Sequence, residues 1–442
     1  VYAPASPGNG SNMNDAGYRA RALAGWLLHR VLDRGQKLNS TLLEAQELGG
    51  RISRMAPRDR AFVRLLVVTV LRRLGQIDDA LIRCLDRPLN RLARPAKNIL
   101  RLAAAQTMFL NTPGHAVADG AVRSLRPREE HLKGLVNAVS RRLIRDRQDI
   151  LAEQDEVDLN CPKWLRNSWS ASCGDQTAIK IIAATLMEPP LDITVKGNQQ
   201  AWADNLDAKI LPTGSLRCYT GGAVKELPGY DEGEWWVQDM AAALPVRLFG
   251  DVAGRAVLDL CAAPGGKTAQ LAASGARVTA VDEAPNRLSL LRSNLERLGL
   301  KAELSTADVR TWRPPAPFDK ILLDAPCSAT GTIRRHPDIW HLCTKNDVER
   351  AAVLQDQLLR AAVEMLAPGG TLVYSTCSLQ SEEGETRIAK LLASDDRIKR
   401  DQIKAHELYG LSELISTDGD LRTLPHYLDG MDGFFAARLV RN

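Results

Sequence analysis

The sequence predicts an α/β chain in which an all-α segment and a small mixed α/β segment precede a doubly wound parallel sheet. Three observations carry that prediction. Apolar strands at 256–260, 278–281, 321–323 and 371–375 are separated by helical patterns at 285–298 and 346–366, the alternation that builds a parallel sheet covered by helices. Residues 14–147 instead repeat apolar side chains at helical spacing throughout. At 442 residues the chain is long enough for about three domains, each burying its own core.

The first residues, V-Y-A-P-A-S-P-G-N-G-S-N-M, lack the basic start and apolar stretch of a secretory signal, so residues 1–15 read as a disordered leader. An all-α domain is expected over 16–150. Leu23, Leu27 and Val31 share a helical face; Pro57 opens a run carrying Phe62, Leu66 and Val70, and Pro127 opens another carrying Leu132, Leu135, Val139 and Leu143. This domain holds 26 basic and 12 acidic side chains, whereas the whole chain carries a net charge of only +5. Most of the basic residues are arginines, which fork onto phosphates and stack on bases, so a nucleic-acid partner is the favoured reading over a merely solvated surface.

The acidic stretch 149–161, followed by Pro162, reads as a linker. A small α/β domain is expected over 151–235. Within it L-D-I-T-V (191–195) alternates as a strand does, Asn198 is placed to cap the next helix, and Ile210-Leu211 opens a further strand. Trp164, Trp169, Trp202, Trp235 and Trp236 fall in or beside this segment and read as packing residues rather than base-stacking platforms. The sheet domain then spans 236–442, and G-F-F-A-A-R-L-V (433–440) reads as a late edge strand.

No run of eighteen or more apolar residues is present, which argues against a membrane span. Eight cysteines scattered without tight pairing suit a reducing compartment and leave individual thiols free for chemistry. A cytoplasmic monomer is therefore expected.

The stretch D-L-C-A-A-P-G-G-K-T (259–268) ends as a nucleotide-binding P-loop does, but Cys261 occupies the position of the first glycine that such a loop needs. The dinucleotide fingerprint G-x-G-x-x-G is absent as well. What remains is a strand ending in Asp259, a tight turn over Cys261, Ala262, Ala263, Pro264, Gly265, Gly266 and Lys267, and a helix N-terminus. Asp282 ends the next strand, where a carboxylate commonly meets ribose hydroxyls, and Asp308 follows the third strand, in reach of an adenine. A turn, a ribose acid and a third acid describe a site for an adenosine-bearing cofactor without a phosphate cradle. S-adenosylmethionine (SAM) fits.

Two further strands run into D-A-P-C-S-A-T-G (324–331) and S-T-C-S (375–378), so Cys327 and Cys377 both stand at the carboxyl edge of the sheet, where ligands bind. Chemistry at C5 of a pyrimidine gives such thiols a purpose. That carbon is a poor nucleophile until a thiolate adds to C6. Asp324, held against the N3 edge of the base, is suited to share a proton as charge builds there, and a second thiol is suited to assist release. Which cysteine attacks is left open by the residues alone. In I-R-R-H-P-D-I-W-H-L-C (333–343), His336, His341 and Cys343 match no standard zinc spacing, so no metal is expected, and Arg334 and Arg335 are candidates for substrate phosphates.

Taken together, D-L-C-A-A-P-G-G-K-T, D-A-P-C-S-A-T-G, R-R-H-P-D and Y-S-T-C-S resemble the motifs of the RNA (cytosine-5-)methyltransferases. L-K-G-L-V-N-A-V-S-R-R-L (132–143), closing an all-α basic region, is similar to the NusB-like domain of the Fmu/Sun branch, which acts on the 16S RNA of the small ribosomal subunit. The resemblance implies a Rossmann-like SAM-dependent methyltransferase domain behind a NusB-like domain, with ribosomal RNA as partner. It implies that residues matching Cys261 to Lys267, with Asp282, Asp308 and Asp324, hold SAM, that Cys377 is the nucleophile and that Cys327 assists product release. The alternatives are a non-catalytic RNA-binding or ribosome-assembly factor and a related enzyme acting on tRNA.

Overall fold

Proline fixes where several helices of the N-terminal part begin, since its missing N–H costs nothing in a first helical turn. The computed structural model describes residues 13–47, 52–219 and 223–442; of the leader expected over 1–15, residues 1–12 lie outside them. The chain divides into two compact units, Val1–Asn167 with His336–Leu342, and Ser168–Arg335 with Cys343–Asn442.

The first unit is helical. Helices Met13–Leu28, Pro57–Arg72, Arg94–Met108 and Lys133–Glu153 close around a core that includes Leu27, Leu66, Val70, Val139 and Leu143, positions marked by the apolar repeat, and Leu100, which was not. The stretch 149–161 is not an extended linker: the last long helix continues to Glu153, and a short helix Glu156–Asn160 follows, capped by the Asp155 carboxylate. Its acidic residues are the solvated side of these helices, with Glu153 paired to Arg83 and Glu156 to Arg73. The segment His336–Leu342 packs into this same unit. Leu38 N–H donates to Asp338 Oδ2 at 3.0 Å, and His341 Nε2 donates to the Leu71 carbonyl at 2.7 Å.

The second unit contains two sheets. Strands β1 (Leu191–Val195), β2 (Ala208–Ile210), β3 (Leu216–Cys218) and β4 (Trp235–Val237) form an antiparallel sheet in the order β2-β3-β1-β4. The strand foreseen from Ile210 thus ends there rather than beginning there. Asp192 and Arg217 lie directly opposite in the β1/β3 register and form a buried bidentate ion pair, the guanidinium also donating to backbone carbonyls of 428–430. Asn198 caps its helix as expected, accepting from Ala201 N–H.

The large sheet comprises β5 (Ala256–Leu260), β6 (Arg277–Asp282), β7 (Glu303–Thr306), β8 (Phe318–Asp324), β9 (Leu366–Thr376), β10 (Ile398–Arg400), β11 (Leu421–Thr423) and β12 (Phe434–Arg441). Its order is β10-β12-β9-β8-β5-β6-β7, with β11 also on β12. The five strands from β9 to β7 are parallel and Rossmann-like. The last strand is not an edge: β12 runs antiparallel between β9 and β10, and its first six residues are buried, which is what an unbroken F-F-A-A-R-L run requires. Parallel order brings the carboxyl ends of β5, β6, β8 and β9 to one edge of the sheet.

Candidate active site

The turn after β5 is held open by its backbone. Cys261 adopts φ +61, the left-handed conformation that a glycine would take more easily, and Gly265 follows at φ +101. A Cβ on Gly265 would stand 2.7 Å from Leu291 Cγ, so only glycine lets the turn pack on the helix Pro285–Leu298. Gly266 opens the helix Gly266–Ala273 with almost nothing facing it; a Cβ there would meet only Gln238 Nε2, at 3.9 Å. The helix start is therefore uncrowded at the partly exposed Gly266, while Lys267 and Thr268 behind it are buried.

Asp282 braces this turn from the end of β6. Its Oδ2 accepts Ala263 N–H and its Oδ1 accepts Ala284 N–H, each at 3.1 Å, and the residue is 1% exposed. Asp308, half-buried after β7, is gripped by the Arg310 guanidinium, whose hydrogen bonds hold its carboxyl below the usual range. Beneath the turn, Asp259 accepts from Thr268 Oγ1 at 2.6 Å, while its other oxygen is sealed without a partner among the described residues. Burial pushes that carboxyl up to about 7. Burial, with Asp282 and Asp324 close by, also pushes up the Cys261 thiol, which leaves it a poor candidate for a nucleophile.

Lys267 finds its partner across the sheet edge. Its ammonium lies 2.7 Å from Asp324 Oδ2 and 4.9 Å from the centre of the Phe434 ring, and Ser375 Oγ donates to Asp324 Oδ1 at 2.9 Å. The turn, β8 and β9 are thereby joined through one carboxylate.

The two strand-end thiols meet. Cys327 Sγ and Cys377 Sγ are 3.4 Å apart and both residues are partly exposed. Contact with Cys377, together with burial, pushes the Cys327 thiol well up, so it keeps its proton at neutral pH. The loop carrying Cys327 is clamped to the end of β9: Gly331 N–H donates to the Cys377 carbonyl at 3.0 Å and Gly433 N–H to the Gly331 carbonyl at 2.8 Å. A Cβ at Gly331 would fall 1.9 Å from the Gly433 carbonyl oxygen, so the approach requires glycine. Glu383, fully buried, accepts from Ser328 N–H at 2.7 Å and from the hydroxyls of Ser328 and Ser378, the residues immediately after the two cysteines.

Arg334 and Arg335 do not both face substrate. Arg334 is 2% exposed and locked between Asp239 and Asp432, while Arg335 reaches Asp432 from a partly exposed position. The double arginine is therefore first an internal ion cluster. Among the described residues no group of three His, Cys, Asp or Glu is placed to hold a metal.

Sequence reasoning singled out Cys327, Cys377, Asp324 and the turn, and the structure brings Cys327 against Cys377 and Asp324 against Lys267 of the turn. It did not single out Glu383, Ser328, Ser378, Asp239 or Asp432. A glutamate six residues after a cysteine carries no periodic signal, and an aspartate paired 95 residues away carries none either.

Known proteins resemble this chain over most of its length. The family model described as 16S rRNA methyltransferase RsmB/F matches residues 249–440, and that of the NusB family matches residues 18–145. Ribosomal RNA small subunit methyltransferase B of Erwinia tasmaniensis is 36% identical over 451 residues, covering 95% of this chain and 98% of that protein. Its counterpart in Klebsiella pneumoniae subsp. pneumoniae is 35% identical over 442 residues, with the same coverage. Among solved structures, a methyltransferase homologue from Pyrococcus horikoshii is similar at a TM-score of 0.53 and 26% identity, over 67% of this chain and 98% of that one. NSun6 from Pyrococcus horikoshii shares the fold at a TM-score of 0.55 and 22% identity, over 63% of this chain and 98% of that one.

Proposed function

The chain belongs to the 16S rRNA methyltransferase RsmB/F family, with a NusB-family domain over 18–145, and from that premise we propose that it methylates C5 of a cytosine in small-subunit ribosomal RNA. The observation that carries the reading is the pair of thiols, 3.4 Å apart, just beyond the ends of β8 and β9, the two strands that Ser375 and Asp324 join. Residues 16–150 serve as the basic RNA-binding domain, 151–235 as a small recognition domain and 236–442 as the catalytic domain.

The turn suits SAM as donor. Its helix start is uncrowded at Gly266, as a carboxylate would need, and no basic cradle for a triphosphate accompanies it, because Lys267 is already paired with Asp324. Cys261 to Lys267 would hold the methionine part, with Asp282 and Asp308 on the adenosine side at the ends of β6 and β7. When bound, SAM supplies an electrophilic methyl group on sulfur, the group that C5 acquires.

The chain's own residues prepare the base. A cytosine flipped out of the RNA, at a cost of about a few kcal/mol of unstacking, presents C6 to Cys377. The thiolate adds to C6, and the C5=C6 electron pair shifts towards N3, leaving an enamine-like C5 able to attack. The Lys267/Asp324 pair stands to share a proton at the N3 edge as that charge builds. For release, the C5 proton passes to solvent water, its electron pair rebuilds C5=C6, and the C6–S bond breaks with its pair returning to Cys377. Cys327, in contact with that sulfur, attends the departure.

Incubating the protein with labelled SAM and unmodified small-subunit RNA, then mapping 5-methylcytosine by bisulfite sequencing, tests the reading. Cys377→Ala is expected to abolish methyl transfer and Cys327→Ala to accumulate a covalent protein–RNA species. Full activity in Cys377→Ala would overturn the covalent mechanism.

A further inference from the structure

The two cysteines lie on separate loops, 50 residues apart in sequence, and each thiol is a short side chain with little reach. Keeping their sulfurs at contact distance therefore needs something that ties one loop to the other. Backbone bonds through Gly331 and hydroxyl contacts of Ser328 and Thr330 with Ser378 and Leu379 N–H supply direct ties, and the Glu383 carboxyl adds a buried one that gathers both serines. Its oxygens are approached by Ser328 N–H, Ser328 Oγ, Ser378 Oγ and, at 3.5 Å, Gln355 Nε2. Gln355 in turn donates to the Pro326 carbonyl at 2.9 Å, on the other side of Cys327. The glutamate itself is fixed, because Tyr374 Oη donates to its backbone carbonyl at 2.7 Å from within β9.

A buried carboxyl group is costly unless every lone pair is used, and a hydrophobic residue would fill the same space more cheaply. Here the donors come from both sides of the thiol pair. The side chain is 0% exposed, so it touches neither RNA nor donor. Its effect on the reaction must pass through the cysteines.

Resting on the covalent mechanism of the preceding section, we propose that Glu383 is a positioning residue that holds the Cys327 loop against the Cys377 loop, so that Cys327 stands at the sulfur of the adduct when it is released. Attack by Cys377 on C6 needs only one thiol in place, whereas release needs both. Loosening the brace should therefore separate the two halves of the reaction. A displacement of about 1 Å is enough to cost about a hundredfold in a step that depends on alignment.

The test compares the wild type with Glu383→Gln, Ser328→Ala, Cys327→Ala and Cys377→Ala on unmodified small-subunit RNA with SAM. It reads methyl transfer in the first turnover, the steady-state rate, and the covalent species on a denaturing gel. Glu383→Gln is expected to keep first-turnover methyl transfer within roughly threefold while steady-state turnover falls by about tenfold or more and the adduct accumulates. Ser328→Ala, which removes one hydroxyl of the brace and leaves the glutamate, should shift the same way to a smaller extent. A purely structural role would lower both steps together without trapping anything, and that result, or wild-type turnover, would overturn the proposal. Should Glu383→Gln fail to fold, the absence of any trapped species in Ser328→Ala overturns it equally. Methyl transfer surviving in Cys377→Ala would instead remove the covalent mechanism itself. Cys377→Ala inactive and Cys327→Ala trapped, with Glu383→Gln normal, would remove only the role of Glu383.

Discussion

Arginine does different work in the two units of this chain. In the helical unit Arg54, Arg58, Arg60, Arg64, Arg91, Arg128 and Arg141 are exposed, and their charge faces water. In the second unit Arg217 on the small sheet and Arg334 and Arg438 by the large one are buried against carboxylates and backbone carbonyls. The contrast is one of degree, since Arg72 and Arg101 are buried in the helical unit and Arg255, Arg277 and Arg292 are exposed in the other, but the arginines locked deepest by carboxylates lie in the second unit. The buried set also decides how nearby acids behave. Burial pushes Asp432 up, but Arg335 and Arg334 more than reverse that and leave it below the usual range. Asp259, with no guanidinium against it, rises to about 7, and Asp239, although it touches Arg334, is also pushed up by burial and by the neighbouring Asp432.

The largest effect should follow from emptying the buried set. Arg334→Ala leaves Asp239 uncompensated and Asp432 with Arg335 alone, and breaking a buried pair of this kind costs about 3–5 kcal/mol. Urea denaturation measures it. A loss below about 1 kcal/mol would show that water or Arg335 replaces the lost cation, and the contrast between the two halves of the chain would shrink.

Asp259 sharpens the contrast through pH. Its folded-state pKa of about 7 lies above that of an unfolded aspartate, so the native chain binds a proton that the unfolded chain has released between about pH 4 and 7. The group's stabilising contribution is thus present at low pH and lost as pH rises through about 7. Each tenfold difference in proton affinity between the folded and unfolded chain is worth about 1.4 kcal/mol, so the loss amounts to at most about 4 kcal/mol. Asp259→Asn should remove it, so the variant gains on the wild type between pH 5 and about pH 8 in denaturation midpoints. Parallel curves for the two proteins would mean that the carboxyl is not sealed.

These pairings also mark what the sequence could and could not disclose. Strands β5, β6, β8 and β9 were legible because a parallel strand is buried on both faces and reads as an apolar run, and Cys327 and Cys377 were legible because each closes such a run. The turn stood out through its glycines. Strand β12 was legible as a strand, but its place between β9 and β10 was not, since neighbours in a sheet are not written in periodicity. The acidic stretch 149–161 misled because solvated helix faces and linkers share a composition. Asp239, Asp432 and Glu383 were silent because their partners are distant in the chain. Arg334 was visible as a cation, and only the fold shows that its anions are the protein's own.

The smallest effect on stability, and the most direct test of the surface arginines, lies in the helix Pro57–Arg72. Arg58, Arg60 and Arg64 are exposed there, two of them in the first turn, where the positive end of the helix dipole disfavours a cation. Replacing all three by glutamine should change the unfolding free energy by less than about 0.5 kcal/mol per site, and any change at Arg58 should be a slight gain. Phosphodiesters are the partner that the charge excess of this domain suits. RNA affinity should therefore fall, and the slope of log K against log salt should flatten by roughly 0.7–0.9 for each phosphate that the variant no longer neutralises. An unchanged slope in a titration from low to high salt would place the RNA on another face of the domain. A large loss of stability would mean instead that these arginines belong with the buried set.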